Sequence, residues 1–295
     1  MTEPTPGGDH PSWQIRDRVL STEDHTLIMG VVNTTPDSFS DGGRYSATAA
    51  ALEHGLQLWN DGADIVDVGG ESTRPGAEPV SADEELNRVV PVVAGLVDAG
   101  VVVSVDTMKV EVAEAAITAG AHIVNDITAL GDPQMTALCA TSEVGVVLMH
   151  MQRDPQTMQI DPRYQDLMAE ISSYLETRAA GARRHGIKAS SICIDPGIGF
   201  GKTHAHNLEL LSNIDRLADL GYPVLIGTSR KGFLGAILLE AGLDTVAAQR
   251  DPATTATVAL AIAGGAAVVR VHNVGHAFQA ARAADAIVRA SQGRL

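Results

Sequence analysis

The chain has 295 residues, 45% hydrophobic and 19% charged, which excludes a disordered or collagen-like polymer and leaves enough apolar sequence for a sizeable core. The 21 basic and 36 acidic side chains give a formal charge of −15, which argues against a general nucleic-acid binder, since that needs a broad basic face to release counterions. Aromatic residues are only 3%, too few for base-stacking platforms, yet a local cationic pocket for an anionic substrate remains compatible with the overall acidity.

Residues 1–12, MTEPTPGGDHPS, are polar and rich in Pro and Gly, and are expected to form a flexible tail with no secretory signal. Residues 13–295 are expected to form one domain. No stretch approaches the roughly 18 uncharged apolar residues of a transmembrane helix, so no membrane association is expected. Eight short apolar runs follow, at 26–32, 63–69, 101–106, 122–126, 145–150, 191–195, 223–227 and 267–271. They are β-branched and apolar on both faces, as strands of a parallel sheet must be.

Helical segments separate the runs. Ser81 with Glu84 forms a candidate capping box, and Asp132-Pro133 and Asp251-Pro252 read as N-caps followed by proline in the first turn. Gly120 after Ala119 reads as a helix-ending glycine. Val274, Phe278, Ala281 and Val288 share one face of the last segment. The two cysteines, Cys139 and Cys193, form no CxxC pair and read as reduced core thiols of a cytoplasmic protein. Eight strands each followed by a helix predict an α/β fold, a single (β/α)8 TIM barrel, with an open doubly wound sheet as the alternative.

The runs end in residues that a core does not need: Asn33, Asp67 to Glu71, Asp106, Asn125-Asp126, His150, Asp195, Ser229 to Lys231, and Arg270 to His272. In a barrel these lie at the C-terminal face of the strands, where active sites are built. One polar strand end is ordinarily a helix cap; eight in succession point to a functional face.

Several motifs sharpen that expectation. Residues 29–43, MGVVNTTPDSFSDGG, carry a polar loop longer than an ordinary βα turn, suited to a lid. In DVGGESTRPG, 67–76, Arg74 is able to grip an oxyanion, with a surface salt bridge as the plainer reading. Asp106, Asn125 and Asp195 come from three strands and suit a flat heterocycle that presents several N–H donors, although Asp195 before Pro196 also suits a local cap. DPGIGFGKT, 195–203, fails as a phosphate loop, because Gly197 and Gly201 are separated by three residues instead of four. Lys231 opens a helix, where the dipole disfavours a cation, so an anionic ligand shared with the helix N-terminus is expected. Arg270 and His272 add a cation and a proton carrier, whereas His150 reads as a packed histidine. There is no HExxH, paired-cysteine cage or GxSxG, so any metal is expected to be Mg2+ held by one or two oxygens and substrate phosphates.

Together these motifs, with SVDT at 104–107, NDI at 125–127, TSRK at 228–231 and RVH at 270–272, resemble the dihydropteroate synthase family of pterin-binding barrels over about residues 26–291. The resemblance implies condensation of 6-hydroxymethyl-7,8-dihydropterin diphosphate with p-aminobenzoate, with release of diphosphate. It implies pterin contacts from Asp106, Asn125, Met149, Asp195 and Lys231. It implies a diphosphate and loop group of Asn33, Thr73, Arg74, Arg270 and His272, with Asn33 at Mg2+. The p-aminobenzoate pocket is implied to use Thr73, Pro75, Phe200, Lys231 and Gly232, and a homodimer packed through late helices is implied as well. Gly232 departs from the serine common in the family, and no residue is inserted beside Phe200 of the kind that marks sulfonamide-insensitive relatives. A corrinoid-linked pterin methyltransferase and a silent pterin-binding paralogue are the alternatives. The first has no need of ESTRPG or SRK, and the second would have lost loop or diphosphate residues that are all present.

Overall fold

All eight apolar runs are strands of one parallel sheet in the computed structural model, which describes residues 12–34, 43–72 and 76–293, those of 43–46 by their backbone alone. The strands are β3 (Leu27–Asn33), β4 (Ile65–Gly69), β5 (Val103–Asp106), β6 (Ile123–Asp126), β7 (Gly145–Met149), β8 (Ile192–Asp195), β9 (Leu225–Ile226) and β10 (Val268–Val271). Their order is β8-β7-β6-β5-β4-β3-β10-β9. A parallel bridge between Ile194 and Val224, with Ile194 N–H donating to Pro223 O at 2.9 Å, brings the two ends of that order together. Closure distinguishes the TIM barrel from the open doubly wound sheet. The expected tail lies outside the described residues except for Ser12.

Helices fill the crossovers: α1 (Gly43–Asn60), α2 (Ala82–Asp98), α3 (Val110–Thr118), α4 (Pro133–Ser142), α5 (Leu167–Arg184), α6 (His204–Leu211), α7 (Ile214–Ala218), α8 (Gly232–Glu240), α9 (Asp251–Ala263) and α10 (Val274–Ser291). Most of the expected helix ends are present. Ser81 accepts from Glu84 N–H at 3.2 Å, and Asp132 caps α4 by accepting from Gln134 N–H at 2.8 Å. Gly120 follows α3 with φ +104°. Asp251 is different: it lies inside the first turn of α9, and its carboxylate binds Arg230 and Asn273 instead of capping the helix. On α10 the buried face is Val274, Ala277, Ala281 and Ala284, and Phe278 lies at its border, 36% exposed. No helix among the described residues is long and apolar enough to cross a membrane.

The two-residue period of the strands sorts every side chain to the barrel interior or to the helix layer. Val66, Val68, Val103, Val105, Val124 and Leu148 belong to the large cluster that contains the helix residues. Met29, Ile65, Ile123, Val147, Cys193, Leu225 and Val268 form a second, inner cluster. Two residues further along, the inner positions are Val31, Asp67, Asn125, Met149, Asp195 and Arg270, with Gly227 just past the end of β9. The lower barrel is therefore apolar, and its polar residues are concentrated toward the C-terminal ends of the strands.

A feature absent from the sequence reading closes the other end. An antiparallel hairpin of β1 (Trp13–Ile15) and β2 (Arg18–Leu20) inserts Trp13 and Ile15, both fully buried, into the inner cluster. Trp13 Nε1 donates to Ser191 O at 3.0 Å, so the indole N–H is satisfied while its rings fill the barrel floor. A Cβ on Gly145 would lie 2.5 Å from Ile15 Cγ2, so the start of β7 must be glycine for the hairpin to seat. Three-residue strands carry too weak a pattern to be read without this contact.

Candidate active site

At the C-terminal end of the strands is a cavity open to solvent. Asp106, Asn125, Met149 and Asp195 line it from four successive strands, and Phe200, Lys231, Arg270 and His272 complete it. Eight residues expected from the sequence are thus brought together by strand parity and barrel closure. Gly232 follows Lys231 as the first residue of α8 and is exposed; a Cβ there would meet nothing within 4 Å. Asn33 ends β3 and is half-buried. Thr73, Arg74 and Pro75, and most of the expected lid, residues 35–42, lie outside the described residues.

A charged network underlies one wall. Arg270 Nε donates to Asp67 Oδ2 and Nη2 to Asp106 Oδ2, both at 2.7 Å, while Asn125 Nδ2 donates to the same Asp67 Oδ2 at 3.2 Å. Burial drives the Asp106 carboxyl up to about 7; Arg270 pulls it down, while Asp67, Glu85 and Asp126 push it further up. Burial alone would lower the Arg270 guanidinium, but the Asp67 and Asp106 carboxylates outweigh it and hold Arg270 above its ordinary value.

The opposite wall is the segment after β8, whose successive carbonyls are held by donors from the segment itself and from elsewhere. Phe200 N–H reaches Gly197 O at 2.9 Å, Gln159 Nε2 reaches Gly199 O at 2.6 Å, and Tyr164 Oη reaches Gly201 O at 2.7 Å. Lys231 Nζ donates to Ile198 O, and Lys202 Nζ to Phe200 O at 2.9 Å. Gly197 has φ +70°, and a Cβ there would lie 2.0 Å from His150 O, so only glycine allows the segment to lie against the end of β7. Asp195 Oδ1 accepts from Gly197 N–H at 2.7 Å, the local cap expected of an Asp before proline. Its Oδ2 accepts no hydrogen bond among the described residues and remains for a ligand.

Lys231 precedes α8 without capping it; its ammonium turns back over the Phe200 ring, 4.9 Å from the centroid. Burial lowers it to about 8, opposed by the carboxylates of Asp195 and Asp106 and assisted by Arg270. Arg230 takes no part in the cavity, since it forms a bidentate pair with Asp251 at 2.7 and 2.8 Å. Ser229 Oγ holds His272 twice, accepting its backbone N–H at 3.1 Å and sharing a hydrogen bond with Nδ1 at 2.9 Å.

Three groups escaped the sequence reading. Asp67 was legible only as one of many polar strand-end residues, yet it is mid-strand and fully buried, beneath the rim rather than on it. Lys202, part of the failed phosphate loop, is buried beside His150, with Nζ 3.0 Å from Nδ1. Burial and Lys202 drive His150 down to about 3, so it is a neutral, packed histidine, edge-on to Tyr174. Lys109 binds both Glu71 and the buried Glu85, fastening the segment after β4 to α2. A charge in an otherwise apolar strand, as in IVDVG, is the one signal that singles out Asp67.

Comparison with known proteins agrees with this geometry. Residues 29–272 match the family model described as pterin binding enzyme. A dihydropteroate synthase of Neisseria meningitidis serogroup C is 46% identical over 268 residues, covering 90% of this chain and 93% of its own. The dihydropteroate synthase of Yersinia pestis, solved with a sulfonamide drug complex, superposes with TM-score 0.86 at 39% identity, covering 96% of this chain and 99% of its own. That of Xanthomonas albilineans, in complex with 7,8-dihydropteroate, gives TM-score 0.84 at 41% identity, covering 94% of this chain and 98% of its own.

Proposed function

Since this chain belongs to the dihydropteroate synthase family of pterin-binding enzymes, we propose that it is a transferase that condenses 6-hydroxymethyl-7,8-dihydropterin diphosphate with p-aminobenzoate, giving 7,8-dihydropteroate and diphosphate. The observation that carries this reading is the convergence of Asp106, Asn125, Asp195 and Lys231 on one cavity. The open Asp195 Oδ2 and the amide oxygen of Asn125 accept from the pterin N–H groups. Lys231 donates to the pterin carbonyl edge, and Met149 supports the ring face. Phe200, the stem of Lys231, the backbone N–H of Gly232, and Thr73 and Pro75 from the second loop receive p-aminobenzoate.

The chemistry follows from charge. The bond between the pterin methylene carbon and the diphosphate oxygen breaks with its electron pair on oxygen, and the electron-rich ring delocalises the positive charge left on carbon. An ionised Asp106 offsets that charge, and Arg270, His272 and Arg74 stabilise the departing anion. The amine nitrogen of p-aminobenzoate then forms the new carbon–nitrogen bond and releases a proton to solvent. An arylamine is neutral and nucleophilic at pH 7, so no strong base is required. The loops exclude water, which would otherwise capture the cation.

Magnesium fits the residues present. Among the described residues no group of three His, Cys, Asp or Glu side chains forms a protein cage. Asn33, at the end of β3, has a side-chain amide with no hydrogen bond among the described residues. One open amide oxygen suits an ion that takes few protein ligands when substrate phosphates supply the rest. Asn33 would hold the ion through its amide oxygen, and a magnesium ion there would supply charge neutralisation for the diphosphate.

The direct test is diphosphate release from the pterin diphosphate with magnesium, with and without p-aminobenzoate. The expected result is a p-aminobenzoate-dependent pteroate product; pterin binding without any such product would instead identify a silent paralogue. Residues 13–295 are read as one pterin-binding domain, and the two buried, unpaired thiols support a cytoplasmic setting. The chain is also read as a homodimer. Leu239, Leu243, Val246, Leu260 and Ile287 are each more than half exposed and fall in or between the late helices α8 to α10. Sedimentation equilibrium is expected to give twice the mass of 30.8 kDa, and replacing Leu260 and Ile287 by glutamate to yield monomers.

A further inference from the structure

Asp67 is the one charged group of the network that touches no part of the cavity surface. It sits at the middle of β4, on the inward-facing register, and its side chain is wholly buried. Packing alone gives no reason for a carboxylate there, since the preceding inward position of the same strand is Ile65. A buried carboxylate is retained at a cost and needs donors to offset it. Asp67 has two, Arg270 Nε at 2.7 Å and Asn125 Nδ2 at 3.2 Å, and both converge on a single oxygen, Oδ2. Its other oxygen is buried and accepts nothing among the described residues.

Those two bonds have consequences at the cavity. An asparagine amide can turn either a donor or an acceptor toward a ligand. Asp67 Oδ2 accepts from the NH2 side of Asn125, so the carbonyl oxygen is the atom left for the ligand, which must then offer N–H groups. Arg270 would otherwise sample many rotamers, but Nε on Asp67 and Nη2 on Asp106 fix its plane at two points. One oxygen beneath the site thereby sets the polarity of one recognition group and the plane of another.

Resting on the function given above, we propose that Asp67 is a positioning residue for pterin recognition: buried below the cavity, it orients Asn125 as an acceptor and pins Arg270, without contacting substrate. The proposal separates Asp67 from residues that only stabilise the barrel, because it predicts a loss confined to one of the two substrates.

The test compares Asp67→Ala, Asp67→Asn and Ser104→Ala in the full-length protein. Ser104 is buried opposite Asp67 on β5 and its hydroxyl makes no hydrogen bond to Arg270 or Asn125, so it controls for disturbance of the same layer. Pterin affinity is read by calorimetric titration with 6-hydroxymethylpterin, and KM is measured separately for the pterin diphosphate and for p-aminobenzoate. An alanine removes the acceptor, and pterin affinity is expected to fall about 50-fold, the scale for hydrogen bonds to a charged group. An asparagine retains one oxygen able to accept from both donors, and a loss of about five- to tenfold is expected. Ser104→Ala is expected to stay within about twofold, and KM for p-aminobenzoate to stay within about twofold in all three.

Several results overturn the proposal: both Asp67 variants within about twofold of the parent in pterin affinity, equal losses for the two substrates, or asparagine as damaging as alanine. If Asp67→Ala does not fold, Asp67→Asn decides alone, since a pterin-confined loss supports the proposal and none, or an equal loss for both substrates, defeats it. The titration needs no turnover, so a parent protein that binds 6-hydroxymethylpterin but forms no pteroate counts against the function and leaves the role of Asp67 to be judged by binding.

Discussion

Replacing Lys231 by methionine is expected to lower kcat/KM for the pterin diphosphate about a thousandfold, the upper range for removing one preorganised donor from a dry site. Methionine is the informative substitution because it keeps the apolar stem. That stem lies over Gly199, where a Cβ would meet Lys231 Cδ at 3.1 Å, and the ammonium sits above Phe200. Packing of the wall is therefore retained while the charge is removed. The loss acts twice. The donor to the pterin edge disappears, and Asp195, whose carboxyl burial already raises, loses Lys231, the main charge that pulls it down. A more protonated Asp195 is a poorer acceptor. Steady-state kinetics with circular dichroism as the folding check decides the matter, and a kcat/KM within about threefold of the parent would remove Lys231 from the mechanism.

The second large effect is expected at Asp106. Its carboxyl titrates near 7, because burial outweighs the pull of Arg270 and Asp67, Glu85 and Asp126 add to the shift. The reaction requires the ionised form, so kcat/KM rises with pH through about 7, whereas Lys231, lowered to about 8 by burial, loses its proton above that value. A narrow bell between these limits is expected for the parent. Asp106→Asn keeps an acceptor for Arg270 but carries no charge. It is expected to lower kcat about a hundredfold and to abolish the acid limb, while the basic limb moves to lower pH because Lys231 loses the Asp106 charge that raises it. Stability gives an independent sign. Between the ordinary carboxylate value and about 7, the folded state binds the extra proton at Asp106, so stability falls as pH rises through that window. Asp106→Asn removes that dependence, which urea unfolding at pH 5 and pH 8 measures. An unchanged acid limb in the variant would assign the limb to another group.

Strand existence was legible because buried parallel strands are short, β-branched and apolar on both faces, and all eight runs met that description. The helix caps at Ser81 and Asp132 were legible because their hydrogen bonds join residues two or three apart. Asp251 misled for the converse reason. Its local pattern is that of a cap, but its partners are Arg230 and Asn273, each more than twenty residues away. The same distance in sequence hid the hairpin that fills the barrel floor and the bond between Lys202 and His150.

The candidate site divides along the same line. By itself the sequence determined which residue types end the strands, and so that Asp106, Asn125, Asp195, Lys231 and Arg270 belong to a single chemistry. It could do so because strand periodicity and motif spacing are properties of neighbours along the chain. Only the tertiary structure decided how those groups meet: that Arg270 lies between Asp67 and Asp106, that Asn125 turns its donor side downward, and that Lys231 folds back over Phe200 instead of capping α8. These are contacts across a closed barrel, between strands as far apart in sequence as β4 and β10. Their strength comes from the low-dielectric interior that closure creates, a property no local stretch of the chain possesses.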